Sequence, residues 1–104
     1  MKEYDLILPI KKKWFGMILS GEKKEEYREV KPYYTTRIQN ILEKPLVMTK
    51  LPILATVKFV NGYGNTRPCF IADCEITRRI GGKKEWGANP FQDYYVFKII
   101  EVGK

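Results

Sequence analysis

A chain of 104 residues with 44% apolar and 13% aromatic side chains is sized for one domain with a buried core, and its composition excludes disorder. Its longest largely apolar runs, 14–19 and 51–57, fall short of the roughly 20 residues that a membrane helix needs. The net charge of +7 is spread over both halves, eleven Lys/Arg against seven Asp/Glu in residues 1–52 and eight against five in 53–104, so nucleic acid is a natural partner class without any basic tail.

In chain order, MKEYDLILPIKKKW carries two acids, and most of its lysines follow the apolar run. That is the reverse of a signal peptide, so a cytoplasmic location is expected. Tyr4 to Pro9 reads as a strand. A helix then starts at Ile10 or Lys11 and runs to about Leu19, with Ile10, Trp14, Met17 and Ile18 as its apolar stripe. Lys11, Lys12 and Lys13 crowd its first turn, where the helix dipole opposes them. The plain reading is a solvated basic turn; the functional one is a place for an anion.

Ser20-Gly21 is a helix stop signal, and the residues after it read as a strand. Glu26, Arg28 and Val30 fall on one of its faces and Glu25, Tyr27 and Glu29 on the other. Lys31-Pro32 breaks that pattern. Tyr33 to Leu42 looks helical, with Tyr34, Ile38, Ile41 and Leu42 on one stripe and Pro45 closing it.

Met48 to Pro52 is a connection, and Leu54 to Val60 alternates as a strand with Ala55, Val57 and Phe59 on one face. Asn61 to Asn65 is dense in turn residues. Phe70 to Ile76 reads as a strand, Gly81-Gly82-Lys83-Lys84 as a flexible basic loop, and Trp86 to Pro90 as a turn before a last strand, Tyr94 to Val102. Two helices near the start and several strands afterwards make the class α+β. Cys69 and Cys74, an odd number of residues apart, fall on opposite faces of one strand. A mutual disulfide is therefore not expected, and at least one thiol belongs to the core. The chain has no histidine and no paired-cysteine spacing, so no metal site is expected.

The densest chemistry lies in Gly21 to Arg28, GEKKEEYR, which sets Glu26 and Arg28 side by side with Lys23 at the turn. Gly21-x-Lys23-x-x-Glu26-x-Arg28 resembles the G-x-K-x-x-E-x-R signature of ASCH domains, the activating-signal-cointegrator-homology group of PUA-like β-barrels. Upstream, ILPIKKKWFGMILSGEK resembles the helix leading into that motif. Downstream, VKFVNGYG and EWGANPFQDYYVFKIIEV resemble strands and a turn of the short, phage-type members. The resemblance covers nearly the whole chain and implies a single domain, a small PUA-like barrel of about five to six strands flanked by two helices in its N-terminal half.

Two classes of function fit these residues. In a binding site, Glu26 accepts hydrogen bonds from a base amino group, while Lys23 and Arg28 hold a phosphate or a base carbonyl. Trp14, Tyr63 and Trp86 are candidate stacking surfaces for an unstacked base, and Asn89 offers a donor and an acceptor. Lys11, Lys12, Lys13, Lys83 and Lys84 form a basic rim, and Trp14, on the apolar stripe, is read as core.

In an enzyme, catalysis must proceed without histidine, and Lys23 serves as a base only if its pKa is lowered. Arg28 pushes that way and Glu26 opposes it. In the family's acetylcytidine amidohydrolase branch, a lysine activates a threonine three residues later; here that position is Glu26, which has no hydroxyl. Other members resemble RNA-cleaving enzymes that use lysine, tyrosine and serine groups, for which Ser20 and Tyr27 stand nearby in sequence. The plainest reading of Lys23, Glu26 and Arg28 is a structural ion network at a barrel rim. The expectation is a cofactor-free RNA- or nucleotide-binding domain with Lys23, Glu26 and Arg28 in its cleft. An enzyme acting on RNA or a modified nucleoside through the same cleft is the alternative, and the oligomeric state is left open.

Overall fold

The computed structural model describes residues 3–43, 50–62 and 67–103. Strand β1 (Leu6–Ile10) leads into helix α1 (Lys12–Ser20), strand β2 (Glu25–Glu29) and helix α2 (Pro32–Leu42). Strands β3 (Ile53–Asn61), β4 (Cys69–Ile80) and β5 (Asp93–Gly103) complete the chain, with a 3-10 turn at Lys84–Trp86 before the last. The architecture is α+β. One five-stranded sheet of order β1-β3-β4-β5-β2 curls into a half-barrel, with β1 and β2 as its edges. Strand β1 runs parallel to β3 and the other neighbours are antiparallel. The long excursion through α1, β2 and α2 supplies the crossover that a parallel pair requires.

Alternation decides which residues fill the curl. Leu6, Leu8 and Ile10 of β1, Ala55, Val57 and Phe59 of β3, and Phe70, Ala72, Cys74 and Ile76 of β4 share one core. Cys69 is exposed and Cys74 buried, both as free thiols, as their odd separation implies. Asp73 pairs with Glu101 and Cys74 with Ile99, which leaves Ile100 as an extra residue in β5. A bulge of this kind bends its strand and increases local twist.

Strand β5 is apolar on both faces for a structural reason. Tyr95 and Phe97 point into the main core. Tyr94 and Val96 point the other way and form a second small cluster with Ala88, against which Tyr27 packs. The connection between β4 and β5 thus folds back over the outer face of β5 and β2.

Several expectations are corrected. Helix α1 starts at Lys12, after Ile10 has ended β1, and its buried residues are Phe15 and Ile18. Trp14 and Met17 are only half-buried; the phase of the helix puts Phe15 inward, with its ring 5.0 Å from that of Phe70. Pro32 begins α2, as suits a residue without an N–H, and Glu43 ends it in the left-handed conformation. Strand β4 continues to Ile80.

Gly81-Gly82-Lys83-Lys84 is a pinned segment and not a flexible loop. Gly81 N–H donates to the Gln92 carbonyl at 2.7 Å, and Ala88 N–H to the Lys83 carbonyl at 3.2 Å. The readings placed on Pro45, Met48, Tyr63, Gly64 and Asn65 lie outside the described residues. No helix among the described residues is long and apolar enough to cross a membrane.

Candidate functional site

Gly21 shapes the motif. Its φ of 86° is one that glycine adopts without penalty, and its N–H caps α1 by donating to the Ile18 carbonyl at 3.1 Å. The chain reverses so tightly that Lys23 N–H reaches the Met17 carbonyl at 2.9 Å. This turn drives the Lys23 side chain inward, where the residue is 1% exposed.

The Lys23 ammonium lies 3.0 Å from Glu26 Oε1 and donates to the Glu25 carbonyl. It sits between two aromatic rings, 5.1 Å from the Trp14 centroid and 5.0 Å from that of Tyr27. Such cation–π contacts partly replace lost hydration. Burial pushes the Lys23 pKa below its ordinary value, and the Arg28 charge adds to this against the opposing pull of Glu26.

The second oxygen of Glu26 accepts from Arg28 Nη2 at 2.8 Å. Arg28 Nη2 also donates to the Pro9 carbonyl at 2.8 Å, and Nη1 to the Tyr34 hydroxyl at 3.2 Å. Burial works against the Arg28 charge, yet Glu26 and the Tyr34 hydroxyl hold its pKa above the ordinary value. Lys23, Glu26 and Arg28 therefore come together as expected, but as a buried and mutually satisfied chain. The Lys23 side chain is fully enclosed, while Glu26 and Arg28 keep 8% and 14% of theirs exposed. The physical reason is that α1, α2 and the β2 edge close around them, leaving Glu26 only 6% exposed.

The opposite face of β2 is different. Arg79 grips the Glu25 carboxylate with Nη2 at 2.7 Å from Oε1 and Nη1 at 3.3 Å from Oε2. The Tyr27 hydroxyl donates to Glu25 Oε1 at 2.7 Å and accepts the Lys83 N–H at 3.0 Å. Burial resists the Glu25 charge, but these bonds from Arg79 and Tyr27 hold its carboxyl below its ordinary pKa.

Beside them opens a cavity of about 510 Å³, bordered by Lys24, Glu25, Arg79, Lys83, Trp86 and Lys98, with Gly81-Gly82 backbone between. The Lys83 ammonium lies 5.0 Å from the Trp86 ring centroid. A Cβ on Gly82 would come within 2.5 Å of the Tyr27 ring, so only glycine lets this wall lie so close.

Of the other predicted residues, Lys83 and Trp86 line this cavity. Lys84 is exposed in the 3-10 turn, outside the lining. Lys11, Lys12 and Lys13 are exposed around the start of α1, and Lys13 lies 4.7 Å from the Trp14 ring centroid. Asn89 is exposed, but its Oδ1 accepts the Phe91 N–H at 2.9 Å, so its acceptor serves the turn. Tyr63 lies outside the described residues.

Sequence reasoning missed Lys24, Arg79 and Lys98. The one available signal was Lys98, a cation ending the apolar run Tyr94 to Phe97. Among the described residues, no group of three or more Cys, Asp or Glu side chains is arranged to hold a metal ion. A scan against protein-family models, a search of curated proteins and a search of solved structures each give no match to this chain.

Proposed function

We propose that this chain is an RNA- or nucleotide-binding domain of PUA-like, ASCH type, and that its ligand occupies the cavity beside Trp86. The observation that carries this reading is the convergence of one indole with Lys24, Arg79, Lys83 and Lys98 around about 510 Å³. That volume lies within the ordinary range for small-ligand pockets. An aromatic face for a base and cations for its phosphate are the two parts of single-strand recognition. The motif residues then support the fold that carries the pocket.

The competing reading is an enzyme that acts on RNA or a modified nucleoside through Lys23 and Glu26. The lowered pKa of Lys23 favours it. The enclosure of Lys23 weighs against it more heavily, because a general base must come within reach of its substrate.

The test is binding of short RNA, single-stranded DNA and free nucleosides to the wild type and to Trp86→Ala and Lys83→Ala, at two salt concentrations, with the same tubes assayed for product. Salt-sensitive binding that both substitutions weaken, without product, is expected. Turnover abolished by Lys23→Met would replace the binding reading with the enzyme.

A further inference from the structure

We propose that the cavity beside Trp86 selects a nucleotide bearing a terminal phosphate, a monoester, over an internal nucleotide of a strand. This inference rests on the proposed nucleotide-binding function and specifies its ligand. The lining holds four cations, Lys24, Arg79, Lys83 and Lys98, against one carboxylate, Glu25, a net +3. Glu25 is already committed to Arg79.

Lys24, Lys83 and Lys98 are exposed, and among the described residues none lies in a salt bridge. Lys98 pairs across the sheet with Glu25 and Glu75, so Lys24 and Lys83 are the less compensated two. An internal phosphodiester brings a single negative charge to such a lining. A monoester brings roughly −1.5 to −2 at neutral pH and three acceptor oxygens, a closer match in both charge and donors.

One indole borders the cavity and offers one stacking surface, so one base is held with its own phosphate. Gly81 and Gly82, which also line the cavity, are packed closely against their neighbours. A Cβ on Gly81 would meet the Pro90 carbonyl oxygen at 2.7 Å, and one on Gly82 the Tyr27 ring at 2.5 Å. The shared chemistry, a nucleoside with a terminal phosphate, belongs both to a free mononucleotide and to the end of a single strand.

The full chain is titrated with one short single-stranded RNA carrying a 5′-phosphate, a 3′-phosphate or neither, and separately with adenosine monophosphate, adenosine and inorganic phosphate. At least one phosphorylated RNA is expected to bind about tenfold or more tightly than its unphosphorylated twin, as charge-assisted hydrogen bonds imply. That preference is expected to collapse in the Lys24→Ala, Lys83→Ala double variant, whose two exposed positions leave the core untouched. Adenosine monophosphate binding as tightly as the phosphorylated RNA supports the inference with a free nucleotide as ligand, and weaker binding supports it with a strand end.

Equal affinity for all three RNAs overturns the inference while leaving RNA binding intact. Inorganic phosphate binding as tightly as the phosphorylated RNA overturns the base subsite and with it the inference. No binding by any probe overturns both this inference and the function on which it rests.

Discussion

Arg28 Nη2 and the Pro9 carbonyl oxygen lie 2.8 Å apart, and this one hydrogen bond ties together the two edge strands of the sheet. Strands β1 and β2 are four places apart in the sheet order and are not ladder neighbours. The guanidinium spans the gap with bonds to Pro9, Glu26 and Tyr34, and so joins β1, β2 and α2. Arginine suits the place because its planar fork directs several donors at once.

Arg28→Lys keeps the charge and loses the fork. One ammonium cannot serve all three acceptors in this geometry, so about 1–3 kcal/mol of stability is expected to go, as for buried polar groups left unpaired. Urea unfolding measures the loss. Amide hydrogen exchange should show the added opening at β1 and β2 ahead of β4, and uniform exchange across the sheet would contradict the bridging role.

Glu26→Gln tests the chain from its middle. It leaves the buried Lys23 and the half-buried Arg28 without the carboxylate that separates them. Removing one member of a buried ion pair costs about 3–5 kcal/mol, and a loss of that order is expected on denaturation. A variant as stable as wild type would mean that water reaches the pair freely.

Gly82→Ala probes the wall of the cavity. The added methyl meets Tyr27 Cε1 at 2.5 Å, Tyr27 Cζ at 2.7 Å and Ala88 Cβ at 2.9 Å. The ring must shift, at a cost of about 1–3 kcal/mol as for overpacked cores. Its hydroxyl then loses alignment with Lys83 N–H. Ligand affinity is expected to fall together with stability, whereas Gly16→Ala, with nothing within 4 Å, should change neither by contact.

Tyr27 predicts an alkaline limb. Burial raises its hydroxyl from 10.0 to about 12, with Glu25 adding to the rise against the Lys83 N–H. Above pH 10 an unfolded chain has released this proton while the folded chain retains it, so folding binds more protons and stability falls as pH rises. The contribution is full below pH 10 and is lost through about 12. Denaturation midpoints across this range should decline less steeply in Tyr27→Phe, and an identical slope would show that Tyr27 titrates normally.

Alternation made much of this molecule legible from its sequence. The inward set Ala55, Val57 and Phe59, the shared face of Glu26 and Arg28, and the opposed Cys69 and Cys74 all stem from a period of two. The burial of Lys23 was not legible, because the aromatic rings that replace its water come from α1 and β2 and meet only when the turn at Gly21 closes. The cavity was harder still. Lys24, Arg79 and Lys98 are far apart in sequence and meet only through the pairing of β2, β5 and β4, and the fold-back of residues 81–92 over β5 adds Lys83. Helix phase misled the reading of α1, since Ile10 belongs to β1 and the buried stripe runs through Phe15 and Ile18, three residues apart.

The cation sandwich at Lys23 has a consequence for anyone mapping function by mutation. The Trp14 ring that covers one side of the ammonium is also what a Cβ on Gly87 would meet at 3.0 Å, and the Tyr27 ring on the other side abuts Gly82. Both ends of the segment carrying Trp86 thus lean on the same two rings. A substitution at Lys23 that lets those rings relax would disturb a ligand it never meets. In a binding screen, the most sensitive position can be a strut behind the wall, indistinguishable from a contact until the geometry is known.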